Sequence, residues 1–270
     1  MLRLLFSIRR ATMAKPQVPL TLLFDGDMIL FESCSAVETE INWEDDLWTL
    51  HADAAEAKAK IDSKIQALTE KVLRKLKFTG KYEIILCFTD DVNFRKTLLP
   101  TYKANRAGKR KPVCYKGVKA WAMEAYRSYL RPSLEADDCL GILSTGKPNC
   151  IIISGDKDFK SVPGRFFDYR RDEFYDISEE QANYWHMYQA LIGDTADNYA
   201  GCPGIGPKTA EKILAEGTDW PNIVKTFEKA KLTEADALLQ ARVARILRVS
   251  DYDMQKKVPI LWSPPTTQEV

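Results

Sequence analysis

Three short apolar runs in this sequence each lead into an aspartate: LTLLF into Asp25, YEIILCFT into Asp90, and CIIISG into Asp156 and Asp158. Runs of this length, rich in branched residues and lacking polar alternation, read as strands buried on both faces, the habit of parallel sheets. Ligands of such sheets bind beyond the carboxyl ends of the strands, so three separate strands would deliver acid to one edge. One aspartate after a strand usually starts a turn or caps a helix; three together invite a chemical reading. Two more acid groups follow, Glu135, Asp137 and Asp138 in EADDCLGIL, and Asp194 and Asp197 in GDTAD. Three-residue spacing lets two carboxylates share a helix face, while a helix N-terminus attracts acids for dipole reasons alone. Converging carboxylates repel one another unless cations intervene. Magnesium or manganese, which take oxygen ligands, would relieve that repulsion, and two such ions could clamp the attacking and leaving oxygens of a phosphodiester.

Two basic features complement the acids. In GCPGIGPKTAEKIL the glycines Gly201, Gly204 and Gly206 let a backbone approach a phosphate. Pro207 suits the first position of a helix whose N–H groups would face the anion, and Lys208 follows it. The pattern reads as a sequence-independent clamp on a DNA backbone. From Asn93 to Arg131, eleven basic residues stand against the single acid Glu124, a local charge of +10 in a chain whose net charge is +1. Solvated faces mix signs, so this segment reads as a contact for a polyanion. It is poor in apolar anchors and is expected to lack order without DNA.

Composition narrows the alternatives. With 45% hydrophobic and 29% charged residues the chain is of ordinary globular make-up, and no apolar run is long enough to span a bilayer, so no membrane role is expected. Six scattered cysteines without a CxxC pair, and only two histidines, His51 and His186, argue against a zinc cluster, a secreted disulfide scaffold and a serine-histidine-acid triad. A reducing, cytoplasmic setting suits them. The first 24 residues hold no acid and carry Arg3, Arg9, Arg10 and Lys15, a composition shared with mitochondrial transit peptides. Translation starting at Met13 is the plainer account of that stretch, and mitochondrial targeting by residues 1–15 the alternative.

The elements that must position these residues form an α/β fold, a mostly parallel central sheet flanked by helices. Ile61, Ile65, Leu68, Val72 and Leu76 mark an amphipathic crossover helix within Ala52 to Lys77. Further helices are expected over Lys116 to Arg131 and Ala136 to Leu143. Ser178 and Gln181 form a capping box opening a helix through Leu191. Residues 1–19 read as a tail, 20–192 as the core with a basic arch at 93–131, 193–262 as a helical lobe, and 263–270 as a second tail.

At FDGD (Phe24 to Asp27), FTDDVNFRK (Phe88 to Lys96), YKANR (Tyr102 to Arg106), EADD (Glu135 to Asp138), SGDKDF (Ser154 to Phe159) and GDTADNYAGCPGIGPKTA (Gly193 to Ala210) the sequence resembles the 5′ nuclease family. That family comprises flap endonucleases and the 5′ nuclease domains of bacterial DNA polymerase I, and the likeness is nearest to the 5′-to-3′ exonucleases of short-tailed bacteriophages. The resemblance implies a PIN-like nuclease core and a lobe with a helix-three-turn-helix DNA-binding element. It further implies metal-dependent hydrolysis of phosphodiester bonds at duplex 5′ ends, nicks or 5′ flaps, serving phage DNA replication, RNA-primer removal or DNA degradation.

Two magnesium ions are implied, with manganese substituting. The first would be held by Asp25, Asp90, Glu135 and Asp137, the second by Asp138, Asp156, Asp158, Asp194 and Asp197. Lys103 and Arg106, with Arg95 beside them, are the implied catalytic cations. Tyr102, Lys109, Arg110, Lys111, Gly204, Gly206 and Lys208 are the implied DNA contacts. The partner would be double-stranded DNA with 5′ ends, nicks or flaps, or an RNA–DNA hybrid. The stretch between Asp90 and Arg95 is shorter than in many members, which leaves Asp90 and Asp91 as alternatives for one ligand. Two competing readings are a DNA-structure-binding protein that does not cut and a small PIN-type ribonuclease. The first expects a missing acid and none is missing; the second expects a much shorter chain without the glycine turn.

Overall fold

The first strand, β1 (Leu20–Asp25), is buried along its whole length and lies inside a six-stranded sheet of the computed structural model, which describes residues 18–265. The expectations for residues 1–17 lie outside the described residues, as does most of the second tail. β1 runs into α1 (Gly26–Ser35), followed by a hairpin of β2 (Glu38–Asn42) and β3 (Trp48–Ala52) and the long helix α2 (Ala54–Lys75). Next come β4 (Tyr82–Cys87), the short α3 (Arg95–Leu98), α4 (Tyr115–Ala125) and β5 (Ser128–Tyr129). After α5 (Ala136–Gly146) and β6 (Cys150–Ser154), β7 (Gly164–Asp168) and β8 (Glu173–Ile177) form a second hairpin. α6 (Glu179–Ile192), α7 (Pro207–Glu216), α8 (Trp220–Lys229) and α9 (Glu234–Ala244) make up the helical part.

Strand order is β5-β4-β1-β6-β7-β8, and every pairing is parallel except β7 with β8. β4 and β6 flank β1 on opposite sides, so the chain reverses its strand order there and opens the crevice in which such sheets hold ligands. Asp25 is the last residue of β1. Both sheet faces are covered. Ile29, Leu30, Ile61, Ile65, Val72 and Val118 from α1, α2 and α4 pack on one face, and Leu140, Ile142, Ile246 and Leu247 close the other. Each such side chain contributes about 1.5–3 kcal/mol on burial.

Helix α2 buries the stripe that its spacing predicts, with Asp53 accepting from Ala55 N at 2.7 Å as its cap. The Ser178–Gln181 capping box opens α6. The helix of the basic segment ends at Ala125 rather than Arg131, because the chain then sets Ser128 and Tyr129 beside Leu86 and Cys87 as an edge strand. The β2–β3 hairpin has almost no buried face, so the pattern that reveals core strands is missing from it. No helix among the described residues is long and apolar enough to cross a membrane. All six cysteines are free.

One buried guanidinium ties the end of α9 to the start of α5. Arg95, 2% exposed, donates to both oxygens of Asp138 at 2.7 Å and comes within 3.3 Å of Glu135. It also reaches the carbonyls of Val243 (2.9 Å) and Arg245 (2.6 Å). Asp138, wholly buried, accepts further from the N–H groups of Glu135 and Leu247, both at 3.1 Å. Removing one partner of a buried ion pair strands the other charge, which typically costs about 3–5 kcal/mol. Arg95→Met is therefore expected to lose roughly that much stability in urea unfolding, and adding Asp138→Leu to recover a large part of it. An unchanged unfolding midpoint in Arg95→Met contradicts this brace.

Candidate active site at the sheet edge

Asp25 leaves β1 with both oxygens engaged: Oδ1 caps α1 by accepting from Met28 N (3.0 Å) and Oδ2 accepts from Ser154 Oγ at the end of β6 (3.1 Å). Burial pushes its pKa up to about 7, reinforced by the charges of Asp27 and Asp156. Asp137, in the first turn of α5, is pushed well up by burial and then by Asp25 and Asp156. Asp156 is raised by burial and by Asp197 and Asp194, and Asp158 reaches about 7 through burial, Asp156 and Asp194. Four chain segments thus meet electrostatically: the end of β1, the start of α5, the loop after β6 and the Asp194–Asp197 turn. No three His, Cys, Asp or Glu side chains among the described residues are gathered closely enough to hold a metal ion as they stand.

Two of the nine predicted acids sit differently. Asp90 is half-buried beyond β4, accepting from Ser133 N (2.7 Å) while its own N–H donates to Leu134 O (2.9 Å), so it fastens the loop that leads into α5. Its neighbour Asp91 is exposed. Asp138 corrects the sequence reading, which makes it a metal ligand. Its two oxygens take four hydrogen bonds, from Arg95 twice, Glu135 N and Leu247 N, which fills the acceptor sites of a carboxylate. Asp27, unassigned by sequence, accepts from Thr89 N and Tyr115 Oη, both at 2.8 Å, and clasps α1 to β4 and α4.

The basic segment meets these acids at Glu135, the N-cap of α5. The Lys103 ammonium bonds Glu135 and stands 3.4 Å from Asp197 Oδ2, with its backbone in the left-handed region (φ 54°). Tyr102 Oη donates to Glu135 (2.8 Å) and Asp197 (3.0 Å), and Arg106 reaches Asp197 Oδ1 at 2.5 Å. Burial alone would raise the Glu135 pKa; Lys103 and Arg95 outweigh it and hold the carboxyl at about 2. Glu135 and Asp197 are therefore compensated, whereas Asp25, Asp137, Asp156 and Asp158 push against one another. Two further corrections follow. Arg95 is a buried brace and cannot stand beside a phosphate, and Tyr102, 2% exposed, is a tether between two acids rather than a surface contact.

The remainder of the segment is also anchored, against the expectation of a loose arch. Arg110 makes two bonds to Glu38 of β2 (2.6 and 2.8 Å), Lys119 donates to Thr89 O (2.7 Å), and Lys111 lies over the Tyr115 ring at 4.5 Å. Acids of the sheet edge and of the β2–β3 hairpin lie within reach and hold it. Lys109 is exposed.

In the glycine-rich stretch two roles separate. Gly193 (φ +67°) and Gly201 (φ +65°) stand back to back, and a Cβ on Gly201 would lie 2.3 Å from Gly193 N. That approach folds the segment between them into a loop closed by Asp194 N to Tyr199 O (2.9 Å) and Tyr199 N to Asp194 O (3.1 Å), which presents Asp194 and Asp197 together. Gly204 (φ +78°) and Gly206 instead have no atom within 4 Å of an added Cβ. Gly206 is the N-cap of α7, Pro207 its first residue, and Lys208 is exposed, so this helix start is open to a ligand.

Over residues 181–260 the chain matches the family model described as 5′-3′ exonuclease, C-terminal SAM fold. It is 32% identical to the exodeoxyribonuclease of Enterobacteria phage T3, over 90% of this chain and 92% of that protein. To the exonuclease of Escherichia phage T7 it is 33% identical, over 90% and 93% of the two chains. Among solved structures, the T5 D15 protein co-crystallised with metal ions shares the fold, with a TM-score of 0.61 at 17% identity over 84% of this chain and 89% of that one. Relatedness over nearly the whole length, on a sheet whose carboxyl edge carries the acids, leaves one assignment: the chain belongs to the 5′-3′ exonuclease family, and it is a nuclease.

Proposed function

We propose that this protein hydrolyses DNA from 5′ ends, nicks or 5′ flaps using two magnesium ions at the sheet edge, with manganese able to substitute and an RNA–DNA hybrid as a further substrate. The observation that carries this reading is the set of acids at the sheet edge, Asp25 buried and Asp137, Asp156 and Asp158 half-buried, each raised by desolvation and by its neighbours. The residues fit a hard divalent cation. Every donor is a carboxylate oxygen, and Asp137 and Asp158 owe nothing to hydrogen bonds. Asp25, Glu135 and Asp137, with Asp90 in the adjoining loop, would hold one ion, and Asp156, Asp158, Asp194 and Asp197 the other; Asp138 is excluded. When bound, such ions polarise the phosphate and lower the pKa of an attacking water. The metal ions in the T5 D15 crystals support the same reading.

The chain's own cations then change partners. Lys103 and Arg106, now on Glu135 and Asp197, move to the scissile phosphate and stabilise charge that grows in the transition state. Lys109, Arg110 and Lys111 follow the 5′ single strand, while Gly204, Gly206 and Lys208 at the start of α7 hold the duplex backbone. The sheet core and basic segment cut, and the lobe from residue 193 onward holds. A non-cleaving reading would need one acid of the set replaced, and none is. A 5′-labelled flap, a nick and a blunt duplex, each with magnesium and with chelator, test the proposal. Cutting confined to 5′ ends or junctions, and abolished by chelator, is expected; degradation from 3′ ends, or in chelator, contradicts it.

Asp156→Asn keeps the volume and removes a charge. Cleavage should fall by at least about a hundredfold, while gel-shift affinity for DNA in calcium stays or tightens because fewer acids repel the phosphates. Wild-type turnover in this variant sinks the metal assignment.

Lys103→Ala and Lys208→Ala separate chemistry from grip. The first should lower the single-turnover rate at saturating enzyme by roughly 10²–10³ with little change in affinity. The second should weaken duplex binding and flatten its salt dependence by about one ion. A shared binding defect with equal single-turnover rates refutes this division.

A further inference from the structure

Beside the acid edge a cleft of about 280 Å³ opens between the turn Lys157–Ser161, helix α6 and the start of α7. Asp158 and Asp194 form part of its wall, and Pro207, the first residue of α7, another part. Lys157, Lys160, Arg171, Trp185 and Tyr188 also line it. These lysines differ from those cations of the basic segment that stand on the acids of the sheet edge and the β2–β3 hairpin. Lys103, Arg106 and Arg110 are each matched to a carboxylate, whereas among the described residues neither Lys157 nor Lys160 forms an ion pair. The Lys160 ammonium rests instead on the rings of Tyr175 (4.8 Å) and Trp185 (5.1 Å).

The aromatic side is built on α6. Tyr184, Trp185 and Tyr188 form a cluster with ring centroids 5.1 to 6.4 Å apart, half-buried, while Met187, Ala190 and Leu191 turn into the core. Unmatched ammonium groups beside a partly exposed indole supply what a nucleotide needs, charge for its phosphate and a flat face for its base. The volume lies near the lower bound of pockets that take small organic ligands, about 300 Å³, which suits one nucleotide and not a duplex.

We propose that this cleft takes one unstacked nucleotide of the strand next to the cut, its phosphate on Lys157 and Lys160 and its base against Trp185. This rests on Asp158 and Asp194 belonging to the cutting centre. A phosphate draws Lys160 off the indole, and the uncovered ring face receives the base. Placed between the acids and the start of α7, the occupant is held between the cutting point and the duplex grip.

Binding of a 5′-recessed DNA duplex to the full chain in calcium, followed by anisotropy and by tryptophan emission, tests this. Trp185→Ala and Lys160→Gln should each weaken binding about tenfold, and Trp185→Phe should retain most of the affinity. Lys160→Gln should also reduce the salt slope by about one. DNA should quench part of the wild-type emission, and that part should be absent in Trp185→Phe. Lys160→Gln changes a half-buried side chain at the cleft wall and stays informative even if Trp185→Ala folds poorly. Wild-type affinity in both Lys160→Gln and a folded Trp185 variant, in a protein that cuts with magnesium, overturns the cleft assignment alone. Weakened binding in these variants of a protein that does not cut upholds the cleft and overturns the proposed chemistry.

Discussion

Carboxylates crowded at the carboxyl end of a parallel sheet repel one another strongly once water is excluded, and the way that repulsion is offset organises much of this molecule. β1 lies where strand order reverses, so Asp25, the α5 acids and the aspartates after β6 are brought together by topology rather than by local sequence. Three of the acids are offset internally. Asp138 is matched to Arg95, and Glu135 and Asp197 to Lys103 and Arg106. Asp25, Asp137, Asp156 and Asp158 form no ion pair among the described residues, which is why we propose a divalent cation as their partner.

The internal offsets also shape the fold. Arg95 binds Asp138 and also the carbonyls of Val243 and Arg245, so the end of α9 is pinned to the pair that adjoins Glu135. Lys103 and Tyr102 tie the basic segment to the loop between Gly193 and Gly201. The loop between Gly193 and Gly201 is thereby joined to the basic segment by polar contacts as well as by the apolar packing of Tyr102, Tyr199, Val243 and Ala244.

Much of this arrangement was legible before any coordinates. Buried strands announce themselves as unbroken apolar runs, and the acids that end them in LTLLFD and CIIISGD fall where an open sheet exposes its edge. Helix α2 and the α6 capping box follow from spacing alone. What could not be read were choices between equivalent local roles. An acid three residues into a helix looks the same whether it binds metal or, like Asp138, a buried arginine 43 residues away. The partners of Arg95 and Arg110 lie on segments distant in sequence, so their cationic side chains looked free when they are spoken for. The β2–β3 hairpin and β5 escaped because one lacks a buried face and the other is two residues long.

If uncompensated acids at the sheet edge define the site, divalent cations must stabilise the folded protein even without DNA, since a ligand bound only by the native state raises its stability with concentration. Thermal unfolding of the wild-type protein, titrated with magnesium or calcium at constant ionic strength, measures that directly. The melting temperature is expected to climb with divalent cation beyond the sodium control. A melting temperature that follows ionic strength alone, with no difference between divalent and monovalent salt, would contradict the account at its centre.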